Sequence, residues 1–171
     1  MNQSINRLNE LSADDAQAEF LKCCGSTRWA KALASARPFQ SIDELLAKAD
    51  EVWWSLDQAD WLEAFRAHPK IGEKKAAASQ SEQAQRWSAA EQSGAAGADA
   101  AVRLALAAGN LEYERRFGFI YIVCATGKSS EEMLTILQQR LRNDRETELR
   151  NAAEEQRRIT RLRLERLLEA A

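Results

Sequence analysis

The sequence predicts an all-α protein, a single-domain bundle of about eight helices. Strong helix formers, above all Ala, Leu, Glu, Arg and Gln, dominate the 171 residues. Runs of β-branched residues, which favour strands, are nearly absent. A Ser or Asn followed three positions later by an acid or amide recurs along the chain, and this spacing is typical of helix starts. A chain of this length suits one compact domain, taken here as residues 1–171.

Helix starts and stops follow one another in order along the chain. Most starts offer a side-chain oxygen to the backbone N–H three residues later. Stops are predicted at Gly25, Pro38, Pro69 and Gly118, since proline cannot continue a helix and glycine tolerates the conformation that ends one. The predicted starts are Ser12 with Asp15, Ser26 or Thr27, Ser41 with Glu44, Ser55 with Gln58, Ser88 with Glu91, Ala98, Ser129 with Glu132, and Asn143 with Glu146.

Residues 70–100 are predicted to form a loop-rich excursion within this domain. The composition shifts there to Ala, Ser, Gln and Gly. A linker between two domains would also account for the shift. We favour the excursion, because neither flank is large enough to bury a good core alone.

One strand-like run interrupts the helical pattern: Phe119, Ile120, Tyr121, Ile122 and Val123. It fits a strand or a buried helix equally well, because a short apolar run has no period that separates the two. The run could line a pocket and offer backbone N–H and C=O groups to a ligand. The alternative is that the run only packs in the hydrophobic core.

The charge balance argues against several function classes. The chain carries 24 basic and 26 acidic residues, a formal net charge of −2, whereas nucleic-acid or membrane-surface binding calls for a basic excess. No apolar stretch approaches the roughly 20 residues that span a bilayer. The start MNQSINRLNELSADD is no signal peptide and the end LLEAA is no peroxisomal signal, so a cytoplasmic location is expected.

The cysteines point to the same compartment. Cys23, Cys24 and Cys124 are odd in number and include an adjacent pair, which is a poor disulfide framework and fits a reducing environment. No C-x-x-C motif or Cys/His cluster is present. A metal site is therefore not expected.

The single histidine, His68, lies directly before Pro69, where a helical pattern stops. A residue before proline disfavours the α region, so the chain leaves the helix here. The helix dipole at a C-terminus favours an imidazolium. A group that titrates near neutrality on a turn suits general acid–base catalysis. On position alone, a surface or capping histidine is the simpler interpretation.

Ser88, Glu91 and Gln92 form a second candidate group. In a helix they lie at i, i+3 and i+4, on one face. A hydroxyl, a carboxylate and an amide together can bracket a polar planar ligand such as a ureide. The plain alternative is a capping box followed by an exposed surface.

Arg163 is a third candidate, because it interrupts the apolar stripe of the last predicted helix. A buried arginine is costly unless it is paired or hydrogen-bonded. It either meets a carboxylate, extends its head to solvent, or holds an anionic ligand. The stripe comprises Leu149, Ala152, Ala153, Ile159, Thr160, Leu164 and Leu167.

Several stretches share their order and motifs with a known family. They are LNELSADDAQAEFLKCCGSTRWAKALASARPF, AFRAHPKIG, WSAAEQSG, NLEYERRFGFIYIVCATGKSSEEML and RLRNDRETELRNAAEEQRRITRLRL. Together they resemble OHCU decarboxylase, in full 2-oxo-4-hydroxy-4-carboxy-5-ureidoimidazoline decarboxylase, over nearly the whole chain.

The resemblance implies an all-α fold, commonly a homodimer, that works without a cofactor or metal. The implied reaction removes CO2 from an anionic ureide, the unstable product of 5-hydroxyisourate hydrolysis, and yields (S)-allantoin. This is the last step from urate in purine catabolism. Urate oxidase and hydroxyisourate hydrolase would then be the pathway neighbours.

The resemblance also implies roles for individual residues. The catalytic groups carried over by motif are His68, of the His-Pro pair, and Glu91. Backbone groups of the strand-like run are implied in substrate binding. The remaining substrate-binding positions are Pro69, Ser88, Gln92, Arg163, and Phe119, Ile120, Tyr121, Ile122 and Val123.

Two alternative interpretations remain at this point. A helical, non-catalytic binding or scaffold domain would explain the caps, the core and the charged surface. It would not explain why a histidine, a carboxylate group and an arginine occur together in the pattern of a single family. If the chain is an enzyme of that family, His68, Glu91 and Arg163 should converge on one cavity. A cofactor-free decarboxylase or hydrolase of a related ureide would differ only in substrate.

Overall fold

The computed structural model describes residues 3–73, 81–95 and 97–169. Within these residues the chain forms α-helices, one 3-10 helix at Ser93–Ala95, and no strand, which confirms the all-α prediction. The helices are α1 (Gln3–Glu10), α2 (Ala13–Cys23), α3 (Thr27–Ser35), α4 (Ile42–Ser55), α5 (Gln58–Arg66), α6 (Glu82–Glu91), α7 (Ala100–Phe117), α8 (Ser130–Arg140) and α9 (Arg145–Glu169). Of these, α1 is not among the helices expected from the cap pattern.

Four of the predicted caps are confirmed, and at α3 the cap is Ser26, not Thr27. Ser12, Ser26, Ser41 and Ser129 each accept a hydrogen bond from the backbone N–H three residues later. At Ser129 the bond is reciprocal, because the Glu132 side chain accepts from the backbone N–H of Ser129. These four helices therefore begin where local chemistry alone places them.

Three predicted caps are wrong, and α7 begins at Ala100 after the cap Asp99, not at Ala98. Ser55 is the last residue of α4, and the Asp57 side chain instead accepts from the first N–H groups of α5. Asp144 takes the corresponding place for α9 in preference to Asn143. In each case a neighbouring aspartate offers a charged acceptor to the helix end, which favours it over the weaker candidate.

The third error concerns the excursion predicted for residues 70–100. Ser81, not Ser88, caps α6, so Ser88 lies in the last turn of that helix. The described parts of residues 70–100 thus hold α6 and the 3-10 helix and contain more regular structure than predicted. Ser81 escapes the cap pattern because the position three residues later is an alanine. Residues 74–80 and 96, also within the predicted excursion, lie outside the described residues.

The chain divides into two compact units, each described separately. The first unit is Met1–Ala64 with Arg157–Ala171, and the second is Phe65–Gln156. In the first unit α2, α3 and α4 pack in succession around buried Trp29. The Trp29 indole N–H donates to the carbonyl of Ala49 at 3.0 Å, and the Phe20 ring meets Trp29 edge-on. A buried indole with a satisfied N–H gives this core a fixed arrangement.

In the second unit α7 packs against α8, and Gly109 lies at their contact. A Cβ atom placed on Gly109 would lie 2.6 Å from Cδ2 of Leu137, so a larger residue there would displace the end of the Leu137 side chain. Tyr113 and Phe117 on the same helix enter an aromatic cluster with Phe119. α7 ends at Gly118, whose φ of 82° is the left-handed conformation that glycine adopts most easily.

No helix in the described ranges combines the length and the apolar character needed to cross a membrane.

The cap of α5 gives a direct test of these helix starts. Asp57→Ala removes the acceptor of two N–H groups and is expected to lower the melting temperature by about 2–4 °C. The matched control is Ser55→Ala, which removes only a hydroxyl that donates to the carbonyl of Val52 within α4. A larger effect of the Ser55 change in thermal unfolding would contradict the assignment.

Candidate active site

His68 lies just past the end of α5, in the second unit. The helix ends at Arg66, the His68 N–H donates to the carbonyl of Phe65 at 3.1 Å, and Pro69 follows. His68 is half-buried. Its Nε2 lies 2.6 Å from Oε1 of Gln156, a side chain with no exposed surface. The turn thus carries the ring away from the helix and into contact with α9, as the proline predicts.

The segment after His68 is tied to two helices of the same unit. The Asn110 side chain on α7 donates to the carbonyl of Ile71 at 2.9 Å. The Gln92 side chain, at the end of α6, accepts from the Gly72 N–H at 3.1 Å. These bonds satisfy backbone groups that an irregular segment would otherwise leave without partners. They also connect the histidine turn to the second predicted group.

That second group lies on the last turn of α6. Ser88 and Glu91 are buried, and Gln92 is the C-cap residue, whose N–H donates to the carbonyl of Ser88. The prediction that they share a helical face holds, but the capping-box alternative is wrong because the helix begins at Ser81. A carboxylate buried at the C-terminal end of a helix gains nothing from the helix dipole. Glu91 is the last residue of α6 and 7 % exposed.

The strand-like run forms neither of the structures expected for it. Residues 119–123 are an irregular stretch that follows Gly118, and all of it except half-buried Ile120 is buried. A buried irregular stretch needs partners for its backbone, and side chains supply them here. Arg140 donates to the carbonyl of Ile122 at 2.5 Å, and the Glu155 carboxylate accepts from the Cys124 N–H at 2.7 Å.

Arg140 belongs to a buried ion pair with Glu148. Arg140 Nε lies 2.8 Å from a Glu148 carboxylate oxygen, and the Tyr113 hydroxyl donates to the same oxygen at 2.5 Å. The other Glu148 oxygen accepts from the amides of Asn143 and Asn151 at 2.8 and 2.9 Å. The pair is thus both neutralised and fully hydrogen-bonded, the condition under which buried charges are tolerated.

This network shifts the acidity of its members. Burial by itself would raise the pKa of Glu148, but the Arg140 charge and the hydrogen bonds from its neighbours outweigh burial and lower that pKa. Burial raises the pKa of Tyr113, and the Arg140 charge opposes the rise without cancelling it. Glu148 is therefore held as a carboxylate and Tyr113 as a phenol.

Cys124 directly follows the irregular stretch, and two carboxylates act on its thiol. Burial raises the pKa of its thiol, and the charges of Glu155 and Glu91 add to the rise. The Ser130 hydroxyl also donates to the carbonyl of Gly94 at 3.1 Å, joining the 3-10 helix after α6 to the start of α8. His68, Glu91 and the stretch at residues 119–124 all belong to the second compact unit.

Arg163 belongs to the first unit, and its predicted convergence with His68 stays a prediction. Its side chain is 3 % exposed, so the helical periodicity placed it correctly on the buried face of α9. Its charge acts on the thiols of Cys23 and Cys24. Burial nevertheless raises the pKa of both, that of Cys24 to about 11, so these thiols stay protonated near neutral pH.

Gln156 and the Arg140 network are the site-forming residues that the sequence did not single out. Gln156 lies three residues beyond Ala153, on the buried face of α9. A polar residue at a position of the apolar stripe could therefore have marked it in the sequence. Arg140 and Glu148 were not identified either, because their contacts with Tyr113 and Ile122 join different elements.

No group of three or more His, Cys, Asp or Glu side chains in the described part of the chain is arranged to hold a metal ion.

Comparison with known proteins identifies the family. Residues 9–165 match the sequence model of OHCU decarboxylase. The chain belongs to the OHCU decarboxylase family. The chain is 39 % identical over 159 residues to the "Uric acid degradation bifunctional protein TTL" of Arabidopsis thaliana, covering 92 % of this chain and 48 % of that protein. The chain thus spans about half the length of that relative.

Two further matches agree with this family. An OHCU decarboxylase of Haloferax volcanii is 28 % identical over 163 residues, with 95 % of this chain and 92 % of that protein covered. The crystal structure of an OHCU decarboxylase in the presence of (S)-allantoin matches with a TM-score of 0.77 at 37 % identity, covering 88 % of this chain and 97 % of that one. The all-α architecture is therefore that of an OHCU decarboxylase.

Replacing Glu148 tests the buried ion pair. Glu148→Gln leaves Arg140 buried without a counter-charge, which is expected to cost about 3–5 kcal/mol of stability at pH 7. Because folding lowers the Glu148 pKa, its contribution is complete above the unfolded value of about 4.5 and is lost as the pH falls through the folded pKa. Urea unfolding should thus show the two proteins converging in stability below pH 4.5. Glu146→Gln, at an exposed position of α9, should instead track the wild type at every pH.

Proposed function

We propose that this chain decarboxylates 2-oxo-4-hydroxy-4-carboxy-5-ureidoimidazoline to (S)-allantoin. The observation that carries the proposal is that a half-buried His68 and a buried Glu91 lie in the same compact unit. The Gly72–Gln92 hydrogen bond joins the two segments that hold them. Membership of the OHCU decarboxylase family supports the reaction class, and the (S)-allantoin of the solved relative supports the product.

The remaining predicted residues would hold an anionic, ureide-bearing substrate. Ser88 and Gln92 offer a hydroxyl and an amide next to Glu91, and Pro69 shapes the turn beside His68. Backbone groups of Phe119, Ile120, Tyr121, Ile122 and Val123 would contact the substrate. Arg163 would neutralise its carboxylate, as a guanidinium does with planar anions.

The reaction needs no resident electron sink. Decarboxylation leaves an electron pair on the carbon that held the carboxylate, and the neighbouring C=N bond of this substrate accepts it. We propose that the enzyme therefore works without a cofactor or metal. His68 would assist proton movement at the reacting carbon and its hydroxyl, and Glu91 would accept N–H bonds that fix the substrate's orientation. Protonation from one face then sets the stereochemistry of the product.

The wider setting follows from the same chemistry. The substrate is unstable, so the reactions that produce it, urate oxidation and hydroxyisourate hydrolysis, should take place in the same compartment. We place the chain in the cytoplasm as a single domain acting after urate oxidase and hydroxyisourate hydrolase. The names of its relatives, which refer to uric acid degradation, are consistent with this pathway.

Replacing His68 and Glu91 tests the proposed chemistry. The substrate is generated in situ from urate, and optically active allantoin is followed by circular dichroism. His68→Asn should lower kcat by about 10²- to 10⁴-fold, the usual contribution of general acid–base catalysis. Glu91→Gln should lower kcat/KM by about tenfold or more, through lost orientation.

The control for these changes is Glu131→Gln, at an exposed position of α8, which should retain full activity. Full activity of folded His68→Asn would refute the catalytic assignment. Wild-type protein that yields no optically active allantoin would favour a scaffold role or a related ureide as substrate.

Replacing Arg163 separates ligand binding from core packing. Arg163→Leu should raise KM by about tenfold or more if the guanidinium holds the substrate. If Arg163 were only a costly buried charge, turnover would persist and stability would rise by about 1–4 kcal/mol. Arg158→Leu, on the exposed face of the same helix, controls for loss of positive charge.

We also propose that the chain forms a homodimer through the outer face of α7. Leu104 and Leu111 on this helix are 71 % and 57 % exposed. With the exposed Ala101 and Ala108 they form one stripe at helical spacing, opposite the buried face of α7. An exposed apolar stripe of this kind is typical of a protein interface.

The spacing of the two exposed leucines favours an antiparallel pairing with a second copy. A two-fold axis perpendicular to α7 sets Leu104 against Leu111 of the other copy. Small Ala108 then lies near the axis and allows the two helices to approach closely. The apolar stripe can therefore pair with the same stripe of a second copy.

Light scattering after size-exclusion chromatography tests this pairing. Leu104→Glu should convert a dimer to a monomer, because it places a carboxylate in the apolar contact. Dimers that persist with Leu104→Glu would exclude this face of α7 as the interface.

A further inference from the structure

Gln156 is a polar residue in apolar surroundings. Its side chain has no exposed surface, and on the same face of α9 it follows the buried residues Leu149, Ala152 and Ala153. Burying an amide costs free energy unless its groups are hydrogen-bonded. Its Oε1 lies 2.6 Å from Nε2 of His68, which is a short, well-formed hydrogen bond.

The chemistry of this contact determines where the histidine carries its proton. An amide oxygen only accepts hydrogen bonds, so Nε2 of His68 must be the donor. In the neutral ring the lone pair then resides on Nδ1. Nδ1 is therefore the atom at which His68 gains or loses a proton while the contact with Gln156 persists.

The next residue on α9 shows that this contact is part of a wider arrangement. Glu155 accepts from the Cys124 N–H at 2.7 Å, next to the stretch at residues 119–123. Two consecutive residues of one helix thus hold the histidine ring and the end of that stretch. A rigid helix fixes both more firmly than a loop would.

We infer that Gln156 is a positioning residue, which holds the His68 ring in one orientation and in the Nε2–H tautomer. Its effect on catalysis rests on the proposed function of His68. A neutral amide suits this task, because it accepts from both the imidazole and the imidazolium and so lets the ring change charge without losing its anchor.

A spectroscopic test is unusually direct, because His68 is the only histidine in the chain. Protein labelled with ¹⁵N-histidine gives one pair of ring nitrogen signals, and protonated and lone-pair nitrogens resonate far apart. We expect the neutral wild-type ring to show a protonated Nε2 with a slowly exchanging proton. A ring with its lone pair on Nε2 would overturn the inference without any variant.

Variants then connect the spectrum to Gln156. Gln156→Met keeps the length but removes the oxygen, so rapid exchange of the Nε2 proton is expected. Gln156→Glu keeps an acceptor at the same place and should retain slow exchange. Gln138→Met makes the same change at an exposed position of α8 and controls for the substitution itself. An unchanged ring spectrum in folded Gln156→Met would overturn the inference.

Kinetics separate this role from general stability. Gln156→Met should lower kcat by about 10- to 100-fold, part of the general acid–base contribution, with KM little changed. Gln156→Glu should recover most of that loss. If wild-type protein lacked decarboxylase activity, the proposed function would fail, while the ring spectra would still decide the role of Gln156. An active wild type with an equally active Gln156→Met would overturn the catalytic part of the inference.

Discussion

The second unit depends on one buried ion pair, Arg140 with Glu148. Neither charge could remain buried alone, and each is satisfied by several partners. The arginine spans the unit's most irregular part, because it reaches the carbonyl of Ile122 while its guanidinium lies over the rings of Tyr113 and Tyr121. The pair therefore fixes a stretch of chain that no helix or sheet could hold.

The same principle recurs throughout the candidate site. Asn110, Gln92 and Glu155 each bond a backbone group of a neighbouring irregular segment. Helices supply rigid positions, and polar side chains transfer that rigidity to the turns between them. Such a site can present a histidine and backbone groups in fixed directions, which is what electrostatic stabilisation of a reacting anion requires.

The fold was largely predictable because helix ends are marked locally. Ser12, Ser41 and Ser129 cap where the pattern places them, and the stripe of α9 correctly buries Arg163. Two of the errors arise where two candidates lie close together, as with Ser55 and Asp57, and the outcome depends on where the preceding helix ends. In such cases the local pattern alone is ambiguous.

The site was predictable only in part, for a related reason. His68 and Glu91 could be identified by motif, but their supporting partners could not. Tyr113 meets Glu148 across 35 positions of the chain, and Gln156 meets His68 across 88. No spacing rule links residues so far apart. The prediction of a strand or helix at residues 119–123 was wrong for the same reason. Side chains distant in the sequence take the place of the backbone hydrogen bonds of a regular element.

The buried thiols have a consequence for how this protein meets its chemical surroundings. Cys23, Cys24 and Cys124 are all buried, and each has a raised pKa, so the reactive thiolate is scarce and shielded. Alkylating reagents and mild oxidants can reach them only when the chain opens. The rate at which these thiols are modified therefore reports how often the chain unfolds locally. Cys23 and Cys24 report on the first unit, and Cys124 reports on the second.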